Sequence, residues 1–119
     1  MARLHPEFFL RLYFSDTDKL GPGKAALLAG IERTGSISAA GREMGMSYKR
    51  AWSLVEDMNT MFREPLVQSS RGGAGGGHAR LTAVGREVLG LFADIEAAAA
   101  EVNAARIARM KALLARKTD

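Results

Sequence analysis

A chain of 119 residues is long enough for one domain with a modest core and short for two. Its 47% hydrophobic and 25% charged residues are ordinary for a globular chain, and the absence of cysteine excludes disulfides, zinc–cysteine clusters and thiol nucleophiles. No apolar run reaches the roughly 18 residues of a membrane span, and the formal net charge of +4 permits nucleic-acid binding without requiring it.

The start, Met1 to Glu7, has no signal-peptide pattern, because the apolar stretch behind it is interrupted by Arg11; a cytoplasmic protein is expected. Phe8 to Phe14 is rich in aromatics and reads as a short strand, closed by turn chemistry at Ser15-Asp16-Thr17-Asp18. Pro22 suits the first turn of a helix, and Ala26, Leu27 and Ile31 mark that helix as amphipathic as far as Thr34-Gly35. Ser36 or Ser38 can cap a second, short helix ending near Met44-Gly45, where glycine suits a left-handed closing residue. Ser47 can cap a third helix, with Ala51, Leu54, Val55, Met58 and Met61 on one face.

Pro65 opens a strand over Leu66 to Ser70. Five glycines follow between Gly72 and Gly77, and Arg80-Leu81 gives a brief return strand. Thr82 can cap one long final helix, free of proline and of glycine after Gly90. The fold class expected is mainly α with a small β-hairpin: a winged helix-turn-helix followed by a long C-terminal helix. Residues 1–81 would form the DNA-binding domain, with the helix-turn-helix at 36–61 and the wing at 66–81. Residues 82–119 would form a dimerisation helix packed on the same domain.

The segment from Ile37 to Val55 carries most weight. A helix-turn-helix needs a small residue where its helices touch, a glycine in the turn and apolar residues facing the core. Gly41 and Gly45 fall on the first two requirements, and Ala40, Met44, Met46, Ala51 and Leu54 on the third. Two ordinary core helices joined by a tight turn would need fewer of these coincidences. Off the core stripe, Ser47, Lys49, Arg50 and Ser53 occupy the first two turns of the third helix, the part of a recognition helix that reaches base edges. Lys49 and Arg50 can pair with guanine or phosphate. At the margin of the stripe, Trp52 is read as packing, while Tyr48 stands open between packing and a phosphate contact.

The glycine run is not a nucleotide loop, because Gly77 is followed by His78-Ala79 rather than by Lys-Ser or Lys-Thr. It suits a wing: glycines such as Gly75 and Gly76 let backbone approach a sugar-phosphate chain closely, with Arg71 and Arg80 supplying basic ends and His78 able to add charge when protonated. From Pro65 to Arg86 there are three arginines and no acid.

The run Gly35-Ser36-Ile37-Ser38-Ala39-Ala40 through Gly45-Met46-Ser47-Tyr48-Lys49-Arg50-Ala51-Trp52 resembles the N-terminal DNA-binding domain of the ModE-type molybdate-responsive regulators. Met58-Asn59, Leu66-Val67, the glycine-rich wing, and Leu81-Thr82 with Gly85 continue the likeness over about residues 24 to 95. The LysR-type regulators share the looser Gly-Ser-x-Ser and Leu-Thr-x-x-Gly patterns. The resemblance implies a winged-helix dimer on a roughly palindromic operator, joined partly through the helix after the wing. By position, Ser47, Tyr48, Lys49, Arg50 and Ser53 would belong to the recognition helix, and Arg71 to Arg80 to the wing. ModE-type regulators carry C-terminal molybdate-binding β-barrel domains. This sequence shows no strands after its last helix, so these residues alone are expected not to bind molybdate.

In that last helix Val84, Val88, Leu91, Ile95, Ala98, Val102 and Ala105 alternate spacings of four and three, a coiled-coil-like stripe that then shifts to Ile107, Met110, Leu113 and Leu114. Val88, Leu91, Ile95, Val102, Ile107, Met110 and Leu114 are the dimerisation residues expected, since a wet apolar face costs roughly 25 cal/mol per Å². Two recognition helices would then stand about one DNA turn, roughly 34 Å, apart. The partners expected are double-stranded DNA and a second copy of the chain. The alternative is an interaction module that forms mixed dimers with another regulator and reads no sequence itself. No cofactor, metal or membrane partner is expected, and no enzyme: His5 and His78 stand isolated, without a nucleophile motif.

Overall fold

The computed structural model describes residues 8–70 and 77–116. Its elements in chain order are β1 (Leu12–Tyr13), β2 (Lys19–Leu20), α1 (Pro22–Thr34), α2 (Ile37–Glu43), α3 (Tyr48–Met61), β3 (Val67–Ser70), β4 (His78–Leu81), α4 (Ala83–Val102) and α5 (Ala104–Ala112). The architecture is the winged helix-turn-helix expected, followed by C-terminal helices.

The N-terminal strand is shorter than its aromatic content suggests. Only Leu12 and Tyr13 pair, with Leu20 and Lys19 respectively. Between them Ser15 Oγ accepts hydrogen bonds from the amides of Thr17 and Asp18 at 3.2 and 3.0 Å, which folds the chain back. The return strand β2 left no pattern in the sequence, because two residues are too few for an alternation. It nevertheless delivers Leu20 to the core at 2% exposure.

Proline at the first turn starts α1, and Gly35 at φ +73° ends it, its amide donating to the Ile31 carbonyl at 2.8 Å. Its buried face is Ala25, Leu27, Leu28, Gly30 and Ile31, while Ala26 points to solvent. The stripe thus lies one residue away from where Ala26 suggested. Ser36 caps α2 by accepting from the Ala39 amide at 3.0 Å, and Ser47 caps α3 by accepting from the Arg50 amide at 3.0 Å. Between them Gly45 adopts φ +73°. A Cβ on Gly41 would come within 2.7 Å of the Ala51 Cβ, which is why the two helices can cross there only with hydrogen at that position.

Met44 departs from the core role expected of it and is 37% exposed. It is the cap residue of α2, already out of helical register, so the helical period no longer governs where its side chain points. Met46, on the far side of the bend, packs against the core instead. In α3, Ala51, Leu54, Val55 and Met58 are buried as expected, with Met61 half-buried.

β3 and β4 pair antiparallel, Val67 with Leu81 and Ser70 with His78. Alternation along β4 turns Ala79 and Leu81 inward and His78 and Arg80 outward. Two links hold this hairpin on the helices. Asn59 of α3 brackets the start of β3: its Oδ1 accepts from the Leu66 and Val67 amides at 2.8 and 3.0 Å, and its Nδ2 donates to the Val67 carbonyl at 3.1 Å. The Ala79 amide donates to the Gly35 carbonyl at 2.9 Å, tying β4 to the turn between α1 and α2.

Thr82 caps α4 by accepting from the Gly85 amide at 2.9 Å while its hydroxyl donates to the Pro65 carbonyl at 2.7 Å. The core side chain that α4 buries most deeply is Phe92, 2% exposed, which the four-three stripe did not include. The final helix is interrupted at Asn103, whose Nδ2 donates to the Ala99 carbonyl at 2.7 Å, and α5 continues beyond the break to Ala112. That break falls where the apolar stripe changes register. No residue of α5 is buried. Among the described residues no helix is long and apolar enough to cross a membrane.

Candidate nucleic-acid interface

The burial of Ala51, Leu54, Val55 and Met58 fixes how α3 is rotated, since at 100° per residue Lys49 and Ser53 must then face away from the core. Both are exposed, as are Ser47, Tyr48 and Arg50. The first two turns of α3 therefore carry a solvent-facing row of two cations, Lys49 and Arg50, among hydroxyls. Ser47 uses its oxygen lone pair as a cap and keeps its O–H as a donor.

On one flank of that row α3 faces the hairpin across a cleft of about 220 Å³. Ser36 and Ser38 come to it from the start of α2, Tyr48 and Trp52 from α3, and Ser69, Ser70 and His78 from the hairpin. The rings of Tyr48 and Trp52 lie 6.0 Å apart at 56°. Trp52 is half-buried, as its marginal place on the stripe suggests, and its Nε1 has no hydrogen-bond partner among the described residues. Tyr48 is 64% exposed, which places its hydroxyl at the surface rather than in the core. Five hydroxyl groups from three elements thus line one opening, a chemistry suited to donating to anionic oxygens without fixed charge.

Ser69 and Ser70 were not singled out from the sequence as site residues. Their position at the end of a strand, just before the glycine run, was the available signal. Arg80 lies outside the cleft: it faces outward from β4, its Nη2 3.5 Å from Gln68 Oε1. Arg71, Gly75 and Gly76, the expected tip of the wing, lie outside the described residues.

The helix pair is held by charge as well as packing. Arg33 of α1 grips Glu43 at the end of α2 with both guanidinium nitrogens, Nη1 to Oε2 at 3.2 Å and Nη2 to Oε1 closer still. The hydrogen bond and the opposite charge raise the Arg33 pKa, and the same hydrogen bond lowers that of Glu43.

The residues expected to join two copies lie on α4, on α5 and just beyond it. Leu91, Ile95 and Val102 of α4, Met110 of α5, and Leu114 just beyond it are 42 to 70% exposed. Val88 and Ile107 are half-buried.

The bacterial regulatory helix-turn-helix family of lysR type matches residues 24–86, which spans α1, the helix-turn-helix, the hairpin and the first turn of α4. The ModE-type likeness is also met. The chain is 46% identical over 84 residues to the molybdenum-pterin-binding protein MopB of Rhodobacter capsulatus, covering 71% of this chain and 31% of that protein. It is 40% identical over 89 residues to the transcriptional regulator ModE of Yersinia pestis, covering 75% of this chain and 34% of that protein. To the DNA-binding transcriptional dual regulator ModE of Escherichia coli K12 it is 35% identical, with the same coverage. The chain spans about a third of the length of these relatives. On the match to its helix-turn-helix and wing, this chain belongs to the lysR family of bacterial regulatory helix-turn-helix proteins.

Proposed function

We propose that the chain is a sequence-specific DNA-binding regulator of transcription that acts as a homodimer on a palindromic operator. The observation that carries this reading is the rotation of α3: the buried stripe from Ala51 to Met58 leaves Lys49 and Ser53 outward, beside a hydroxyl-lined cleft and the hairpin. A helix with side chains is 10–12 Å across and the major groove about 12 Å wide, so α3 can enter it while Ser36, Ser38, Tyr48 and the hairpin meet the adjoining backbone. Lys49 and Ser53 are assigned to base edges, and the wing with Arg71, His78 and Arg80 to phosphates. The names of the ModE relatives support a regulatory role, and no catalytic role is proposed. A cytoplasmic location is proposed with it, as a regulator of transcription must reach DNA.

Homodimer formation is supported by shape and exposure. The radius of gyration is 16.7 Å, against about 13.5 Å for a compact domain of this length. The excess fits α4 and α5 reaching past the core with Leu91, Ile95, Val102 and Met110 in water. Covering those side chains with a second copy removes the cost of their exposure. We assign residues 1–81 to the DNA-binding domain and 82–119 to dimerisation.

Molybdenum enters through the names of relatives about three times longer than this chain, and these 119 residues by themselves are proposed not to bind molybdate. A calorimetric titration giving tight, stoichiometric molybdate binding would overturn that part. The test of the main reading is unbiased selection of duplex sites by the purified chain at two salt concentrations. A two-fold symmetric consensus whose affinity falls steeply with salt is expected; recovery of no consensus would refute it.

A further inference from the structure

The second flank of α3, opposite the wing, holds a cleft of about 310 Å³ whose lining is unlike the first. Four cations converge on it: Arg11, just before β1, Lys19 of β2, Lys24 of α1 and Arg50 of α3. None of the residues lining it is acidic. Lys24 is oriented by donating from Nζ to the Lys19 carbonyl at 3.0 Å. Arg11 lies over Gly21 so closely that a Cβ there would come within 2.7 Å of its Nε. Among the described residues, none of the four has a carboxylate partner; the ion pair formed is Arg33–Glu43. Four like charges gathered at one opening repel one another, so the arrangement calls for an anion from outside.

The anion follows from where the cleft sits. Tyr48, Trp52 and Asn59 turn toward the hairpin, whereas Arg50 and Leu54 turn toward this cleft, so the two openings lie on opposite sides of the same helix. A helix in the major groove has a phosphate backbone on each side. Resting on the DNA-binding reading above, we infer that the cleft of Arg11, Lys19, Lys24 and Arg50 is a second backbone site. It takes phosphates of the strand across the groove from the one that meets the wing. Arg50 is thereby assigned to phosphate, leaving Lys49 as the cation that faces base edges. Arg11 and Lys19 precede residue 24, where the family match begins, so the N-terminal hairpin adds two cations to the two, Lys24 and Arg50, that the matched region supplies.

The experiment uses the full chain and fluorescence anisotropy, titrating both the selected duplex and a scrambled duplex of equal length over a salt series. The variants are Lys19→Ala, Lys24→Ala and the triple Arg11→Ala/Lys19→Ala/Lys24→Ala, each first checked for an unchanged far-UV spectrum and melting transition. Each lost contact should lower the magnitude of the slope of log affinity against log salt by about 0.9. Both duplexes should weaken by the same factor, leaving the ratio between them unchanged. Single methylphosphonates on the selected duplex supply a second measurement. At the contacted positions, neutralising the phosphate should weaken wild type more than the triple variant, which keeps only Arg50 at the cleft. A folded triple variant with the wild-type slope, or a loss confined to the selected duplex, overturns the assignment while the DNA-binding reading stands. Wild type that binds neither duplex overturns both.

Discussion

Asn59 and Val67 exchange two hydrogen bonds, the Val67 amide donating to Asn59 Oδ1 at 3.0 Å and Asn59 Nδ2 returning one to the Val67 carbonyl at 3.1 Å. The Leu66 amide adds a third at 2.8 Å. A single side chain of α3 therefore sets where the hairpin begins relative to the recognition surface. Asn59→Ala leaves two amides of buried residues without acceptors, an expected loss of about 2 kcal/mol, read as a lowered melting temperature. Amide exchange at Leu66 and Val67 should quicken more than in α1. A hairpin whose protection is unchanged would show that other contacts position it.

Two glycines and a third make a graded stability series. At Gly85 a Cβ would sit 2.1 Å from the Leu66 carbonyl oxygen, so backbone must move; at Gly41 it would meet the Ala51 Cβ at 2.7 Å. At Gly90 nothing lies within 4 Å. Gly85→Ala is expected to destabilise most and Gly41→Ala less. Gly90→Ala, in the interior of α4, should stabilise by up to about 1 kcal/mol through helix propensity alone. Denaturant midpoints of the three variants check the order, and a stabilised Gly85→Ala would contradict the close contact.

The helix-turn-helix was legible because its constraints are local: Gly41, Gly45 and the serine caps each require one residue type at one place, and each left that residue in the sequence. The same holds for Thr82. What escaped were features made by partners distant in sequence. β2 is two residues long and exists only through its pairing with β1. Phe92 enters the core because α4 packs on the rest of the domain, which a helical period within α4 cannot reveal. Met44 fitted the apolar pattern yet turned outward, since a pattern assumes a helix that had already ended. Ser69 and Ser70 became site candidates only when pairing set them beside Tyr48 and His78. Lys19, Lys24 and Arg11 look like scattered surface charge in the sequence, because nothing in their spacing says they meet.

The Arg33–Glu43 pair carries a pH signature. Glu43 has its pKa lowered in the folded chain, so its contribution is present above the usual carboxylate range and is lost as pH falls through the depressed value. Arg33, raised further, stays charged throughout. Wild type should melt above Glu43→Gln at neutral pH in low salt, and the two should converge in acid. Because both side chains are exposed, high salt should narrow the same gap. A difference that persists in acid would assign the effect to packing at that site instead.

Base readout and backbone holding should separate on the two faces of α3. Lys49→Ala removes the outward cation and is expected to lower discrimination between the selected and a scrambled site, by about 1–3 kcal/mol if the contact is bidentate. Arg80→Ala, on the outer edge of β4, should weaken both sites alike. Paired anisotropy titrations at one salt concentration measure the ratio directly. Equal loss on both duplexes for Lys49→Ala would move that residue to the backbone.

Dimerisation places the heaviest demand on α4. Leu91 and Ile95 are 54% and 42% exposed and sit one turn apart on a helix that buries Phe92 on the adjoining face. A charge on the exposed side should therefore spare the core and disturb only what covers it. Leu91→Glu is expected to give a folded monomer at micromolar concentration by sedimentation equilibrium, where wild type gives a dimer. The monomer should keep its scrambled-site affinity and lose at least tenfold on the palindrome, because each half-site then binds without its neighbour. Phe92→Ala is the contrast: it removes a core ring, costs about 3–5 kcal/mol and should lower the melting temperature first. If wild type itself sediments as a monomer, the exposed stripe on α4 has another partner and the palindromic operator loses its physical basis.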